Sequence, residues 1–221
     1  MRWAADGGLV IEDDYDAEHR YDRPPVPALR SVLAERVCYI GSVSKLLAPA
    51  LRVGWLVVPA RHRDALLDAK RHTDLGNATL PQLVLARLME TGALERQLRF
   101  LRRRHRRRRD AMIEAIAGHL PGAVVHGAAA GLHLTVTFEG DGDGGDGLTV
   151  DGSAGSGPAL AGDTGPAAAA LAHGVKVRPL SWHRQLPGPP GFVLGYAAGP
   201  VSAIAEGIET LGRVRASAAA Q

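Results

Sequence analysis

Two apolar runs, Val37–Ile40 and Val53–Val58, are too short for stable helices, and glycine, proline or charged residues bound them. Each is expected as a strand of a sheet. The chain between them is Gly41-Ser42-Val43-Ser44-Lys45-Leu46-Leu47-Ala48-Pro49-Ala50-Leu51-Arg52, so a single lysine sits among hydroxyls with an arginine close behind. A lysine at a strand end is ordinarily solvated. Here Ser42 and Ser44 can donate hydrogen bonds and Arg52 can fork to a phosphate. That setting suits a lysine that condenses with a phosphorylated aldehyde cofactor.

A second stretch answers the first. Val10-Ile11-Glu12-Asp13-Asp14-Tyr15-Asp16 is a short apolar strand that runs into acidic residues and a tyrosine. Carboxylates at a strand end are exposed or bind something cationic, because burying them alone is costly. A protonated pyridine nitrogen is such a cation, and a carboxylate beside it keeps the proton in place. A nearby tyrosine hydroxyl can reach the ring's phenolic oxygen.

The two motifs in this order, "VIEDDYDAEHRYD" and then "YIGSVSKLLAPALRVGWLVVP", resemble the aminotransferase-like domain of MocR-type regulators. These are GntR-family transcription factors in which a winged-helix DNA-binding domain is fused to a fold-type-I, pyridoxal-phosphate-dependent domain related to class I/II aminotransferases. The likeness runs from about Trp3 to Leu211. It implies that Lys45 is the Schiff-base lysine, that Asp13 pairs with the pyridine nitrogen and Tyr15 with the ring oxygen, and that Ser42, Ser44 and Arg52 hold the phosphate. It also implies a large-domain sheet in residues 1–92 and a small α+β domain in residues 93–221. Two functions follow from the likeness. One is a domain that senses an amino compound through a cofactor imine; the alternative is a stand-alone aminotransferase. A homodimer is implied, as is DNA binding through an N-terminal domain that this chain does not contain. The family supplies the first half of its cofactor domain upstream, so the chain is expected to be a C-terminal fragment with little turnover of its own.

Arg178 is the candidate for holding a substrate carboxylate; a structural ion-pair role is equally open. The likeness departs at "FVLGYA", where Val193 stands in the place of an arginine common in class I aminotransferases. That departure counts against ordinary transamination.

Composition narrows the remaining classes. Cys38 is the only cysteine, so no disulfide forms within the chain and a cytoplasmic location is the expectation. No apolar run approaches a membrane span, and the start lacks the apolar core of a signal peptide. The net charge is +3, and without the seven arginines of Arg102–Arg109 it would be −4. That run reads either as a nucleic-acid surface or as a solvated helix face with arginine stems over apolar surface. The second is favoured, because no aromatic residue is interleaved to stack on bases. Asp141, Asp143 and Asp146 lack the spacing and closing glutamate of a calcium loop, so no metal is expected.

Strands separated by helical patterns argue for an α/β domain with a mostly parallel sheet. Pro24, Pro25 and Pro27 make residues 17–36 a loop over the site with room for one helical turn near Ala28–Ala34, in which His19, Arg20 and Tyr21 either face a substrate or are solvated, the second being favoured. Helices are expected at Arg61–Arg71 and Pro81–Met89. Leu94, Leu98, Leu101, His105, Met112, Ile116 and Leu120 form one stripe of a long helix from about Ala93 to His119. The smaller domain reads as strands at Val124–His126, Gly131–Phe138, Val175–Arg178 and Phe192–Tyr196. Its helices are expected at Ala159–His173 and Ser202–Arg215, with a Gly/Asp-rich insertion at 139–157 too polar to pack.

Overall fold

Apolar alternation and turn chemistry divide the chain into two units, Met1–Arg103 and Arg104–Gln221. The structure is a computed structural model and describes residues 7–22, 24, 26–138 and 162–219.

In the first unit, β1 (Val10–Asp14), β2 (Val37–Ser42) and β3 (Gly54–Val57) form a sheet in that order. β1 and β2 are parallel, with Val10 opposite Val37 and Asp14 opposite Gly41. β3 is antiparallel to β2, so the expected mostly parallel sheet is a mixed one. The reason lies in the connection. Residues 43–53 hold only a 3-10 turn at Pro49–Leu51, too little chain for the helical crossover that a parallel neighbour needs.

The longer link between β1 and β2 contains one short helix, α1 (Leu29–Val32). Glu12 fixes its start, since its two carboxylate oxygens accept from the amides of Leu29 (2.8 Å) and Arg30 (3.2 Å). First-turn amides have no helical acceptor, and an anion there also meets the positive end of the helix. Arg30 then donates to the carbonyls of Ala34 (2.8 Å), Val37 (2.5 Å) and Val58 (3.3 Å), which ties the link to β2 and to the exit of β3.

Two helices follow, α2 (Ala60–Asp74) and α3 (Thr79–Glu90), and neither buries a residue. Both run past the ends expected from sequence, and Pro81 falls in the first turn of α3, where its missing N–H costs nothing.

The next helix, α4 (Ala93–His119), runs from the first unit into the second. Its apolar stripe is inward: Leu101, His105, Met112, Ile116 and the following Leu120 are all under 10 % exposed. In the second unit, β4 (Ala123–His126), β5 (His133–Phe138), β6 (Arg178–Pro179) and β7 (Gly191–Gly195) form an antiparallel sheet of order β4-β5-β7-β6. Helices α5 (Thr164–Ala172) and α6 (Val201–Ala219) complete it.

Alternation buries Leu134, Val136 and Phe138 of β5 and Phe192 and Leu194 of β7. Phe138 and Phe192 meet edge to face at 5.8 Å, and the Arg215 guanidinium lies 3.7 Å from the Phe138 ring centre. Tyr196 buries its ring and donates to the Gly131 carbonyl at 2.5 Å. The buried Asp163 carboxylate accepts from the Ser181 amide and hydroxyl and from the Gly191 amide.

Two elements of this unit depart from expectation by more than two residues at an end. β6 is only Arg178–Pro179, and Val175–Val177 join no ladder; Pro179 has no amide to extend the strand. α6 continues to Ala219, four residues beyond Arg215, as a run of strong helix formers allows. α5 is described only from Thr164; residues 159–161, the 139–157 insertion and its aspartates lie outside the described residues. Among the described residues no helix is long and apolar enough to cross a membrane, and no group of side chains could hold a metal ion.

Leu211 is fully buried and Leu171 is 57 % exposed, although both are helical leucines. Leu211→Ala should therefore cost about 2–5 kcal/mol in urea unfolding. Leu171→Ala should change stability by no more than about 0.5 kcal/mol.

Candidate functional site

The parallel register sets the carboxyl ends of β1 and β2 side by side, with Asp13 opposite Ile40 and Asp14 opposite Gly41. In open α/β sheets, ligands bind at such carboxyl ends. Side chains alternate across the sheet, so Asp13, Ile40 and Ser42 belong to one face and Glu12, Asp14 and Tyr39 to the other.

That division sorts the three carboxylates of β1. Glu12 is occupied at the start of α1. Asp14 accepts from the Ala17 amide (3.2 Å) and from the Tyr39 hydroxyl (3.1 Å). Asp13 is exposed and makes no hydrogen bond or ion pair among the described residues. Two acids of the cluster thus build the fold, and the third, on the face of Ser42, has no partner among the described residues. Tyr15, just beyond β1, is 41 % exposed.

The loop after β2 is built to present Lys45. Val43 and Leu46 are buried to 1 % and 3 % exposure and act as pegs, while Lys45 between them is exposed. The amides of Leu46 and Leu47 both donate to the Val43 carbonyl and close the turn (3.1 and 2.9 Å). Ser42 Oγ accepts from the Ser44 amide at 3.0 Å and donates to Ser44 Oγ at 2.8 Å, so the two hydroxyls form one polar unit.

Arg52 follows the 3-10 turn with φ +51° and ψ +36°, the left-handed region, and is exposed. A non-glycine residue there carries about 1–2 kcal/mol of strain. Such strain clusters where a side chain has to be aimed. The Val43 amide reaches the Val53 carbonyl (3.2 Å), and Ser42 lies opposite Gly54, so Arg52 returns to the end of the sheet that carries the serines. A side chain at Gly41 would displace Trp55, since a Cβ there would lie 2.4 Å from its ring.

Ser42, Ser44, Lys45, Asp13 and Arg52 therefore gather at one end of one sheet, with Tyr15 one residue past it. Arg178 belongs to the second unit, where it is exposed and directly opposite Val193.

Several residues escape a reading of the sequence alone. The phenol of Tyr39 is pushed up to about 12, first by burial and then by the charge and hydrogen bond of Asp14. Its sequence signal is faint, because recognising it needs the register of β1 on β2. His19, expected to be solvated, is fully buried; burial lowers its pKa and Arg102 adds to that, while Asp16 opposes them. Arg102 itself donates to the Glu18 carbonyl at 2.6 Å. Arg20 and Tyr21 are half-buried.

The sequence matches the family described as aminotransferase class I and II over residues 7–141. The HTH-type transcriptional regulator YdeL of Bacillus subtilis is 31% identical over 218 residues, which are 96% of this chain and 42% of the regulator. The probable rhizopine catabolism regulatory protein MocR of Rhizobium meliloti is 32% identical over 131 residues, 58% of this chain and 27% of that protein. The solved structure of LysN, an alpha-aminoadipate aminotransferase from Thermus thermophilus complexed with N-(5'-phosphopyridoxyl)-L-leucine, superposes with a TM-score of 0.81 at 25% identity. That match covers 99% of this chain and 53% of LysN, so the chain spans about half the length of the aminotransferase and less of the regulators.

Tyr39 gives the site a direct spectroscopic check. The protonated phenol is the donor to Asp14, and its pKa is raised above the ordinary 10. Its contribution to stability is complete below about pH 10 and lost as pH rises through about 12. In an ultraviolet titration a tyrosine component should ionise late, near pH 12, and Tyr39→Phe should remove it.

Proposed function

Because the chain belongs to the aminotransferase class I and II family, we propose that it is the pyridoxal-phosphate-binding, aminotransferase-like domain of a MocR-type regulator. The observation that carries the cofactor reading is Asp13, the one carboxylate of β1 with no partner among the described residues, at the sheet end from which the exposed Lys45 turn leaves. The residues present fit the group. Asp13 would hold the pyridine nitrogen in its protonated form. Tyr15 would donate to the ring oxygen. Ser42, Ser44 and Arg52 would take the phosphate, with Arg52 supplying the charge-assisted fork. Lys45 would hold the aldehyde carbon covalently through its amine and, once displaced by an incoming amino group, accept or return a proton. When bound, the cofactor supplies the electron sink.

The ligand sensed is a small amino compound. Arg178 would meet its carboxylate where the ligand has one. Residues 1–92 are the C-terminal part of the cofactor domain in this reading, and residues 93–221 are the small domain. DNA binding would belong to an N-terminal winged helix of the whole regulator, which would act as a homodimer in the cytoplasm. A regulator is favoured over a stand-alone aminotransferase because the relative aligned over 96% of this chain is named an HTH-type transcriptional regulator. Val193, in the place of an arginine common in class I aminotransferases, supports the same preference.

The test is chemical. Mixed with pyridoxal phosphate, the protein should develop a new visible absorption band, and borohydride should fix the cofactor on Lys45 in peptide mapping. Lys45→Ala should lose both, and labelling at other lysines with Lys45 unmodified would refute the assignment. Arg52→Ala removes one charge-assisted contact of about 1.5–3 kcal/mol, so cofactor affinity should fall about ten- to hundredfold.

A further inference from the structure

The arginine run is not one surface. Arg108 and Arg109 are buried at 5 % exposure; Arg108 donates to the carbonyls of Ala197 and Ala198, and Arg109 donates to the Ala128 carbonyl and pairs with Asp110. These two are structural. Arg99, Arg103, Arg104 and Arg107 are exposed and make no hydrogen bond or ion pair among the described residues. Arg99, Arg103 and Arg107 recur every four residues of one continuous helix, and Arg104 flanks the row. The row lies opposite the buried Leu101, His105 and Met112. No acidic residue interrupts α4 between Glu95 and Asp110.

We propose that this row on α4 binds the phosphate backbone of duplex nucleic acid without reading its sequence. Steps of four residues place the charges about 6 Å apart, and the row from Arg99 to Arg107 is about 12 Å long. That length faces three or four phosphates of one strand, which follow at about 3.4 Å of axis each. The four residues are spread along one side of a single helix, so they suit a row of anions better than one small anion. All four are arginines, which can fork to phosphate oxygens. A single strand fits less well, because it needs aromatic platforms and α4 has one aromatic residue, Phe100, at 51 % exposure. The reading is independent of the cofactor and adds only non-specific affinity to whatever domain reads bases.

The experiment is fluorescence anisotropy of the full chain with a labelled duplex of arbitrary sequence, titrated with salt. Neutralising four phosphates should give a log–log slope of about −3.6, a loss of about a hundredfold in affinity between 50 and 200 mM salt. The quadruple variant Arg99→Gln, Arg103→Gln, Arg104→Gln, Arg107→Gln should lose that salt dependence. The single variant Arg107→Gln should lower the slope by about 0.9, and it decides the matter if circular dichroism shows the quadruple variant misfolded. Absent binding, or slopes unchanged by the substitutions, would overturn the proposal. So would displacement of duplex by polyglutamate of equal charge at equal concentration, which would assign the row to an acidic protein surface.

Discussion

The register of β1 on β2 is the constraint on which the rest of the site depends. With Val10 opposite Val37, the acids of β1 are dealt to two faces: Glu12 and Asp14 to one, Asp13 to the other. Side chains in a strand alternate with a period of two, so a slip of one residue would exchange these roles. Glu12 would lose the amides of α1, Asp14 would lose Tyr39, and Asp13 would no longer share a face with Ser42. The hydrogen bonds that hold the fold are thus also what set one carboxylate free. A buried or half-buried carboxylate left unpaired is costly, which makes the pairing of the two structural acids a condition of the exposed third.

The same logic operates beyond β2. A lysine in a loose loop would sample many positions, and holding it would cost side-chain entropy each time a ligand bound. Val43 and Leu46 remove most of that freedom from the backbone by burying on either side of Lys45. The serine pair and the closing amides complete the turn from within. Arg52 is held in a left-handed conformation, and the strain is carried by the paired strands around it. Paired elements on both sides of the loop therefore hold three kinds of group, an amine, hydroxyls and a guanidinium, at one end of the sheet.

Much of this was legible in the sequence. Apolar runs bounded by glycine and proline located β1, β2 and β3, and a stripe of period 3.6 located α4 from Ala93 to His119. The turn that carries Lys45 and its serines stands out because polar residues cluster there against an apolar background. What escaped depends on long-range pairing. The direction of β3 depends on the route of a loop whose composition permits either sense. The partition of Glu12, Asp13 and Asp14 depends on register, and three adjacent acids look alike in a string of letters. His19, Arg108 and Arg109 are polar types that a single sequence assigns to solvent, yet they are buried because neighbours distant in the chain cover or bind them. β6 was overextended because Val175 and Val177 alternate as a strand would, whereas only Arg178 and Pro179 find a partner in β7.

The account's central claim is that Asp13 alone, of three neighbouring acids, faces the ligand. Nitrogen-15 NMR of pyridoxal phosphate labelled at its ring nitrogen, bound to the protein and to two variants, tests it most directly. A protonated ring nitrogen should be seen with the unaltered protein and with Asp14→Asn, because Asp14 serves Tyr39 and Ala17 on the opposite face. It should be lost in Asp13→Asn. A ring nitrogen that stays protonated in Asp13→Asn and loses its proton in Asp14→Asn would contradict the assignment, and with it the role given to the register of β1.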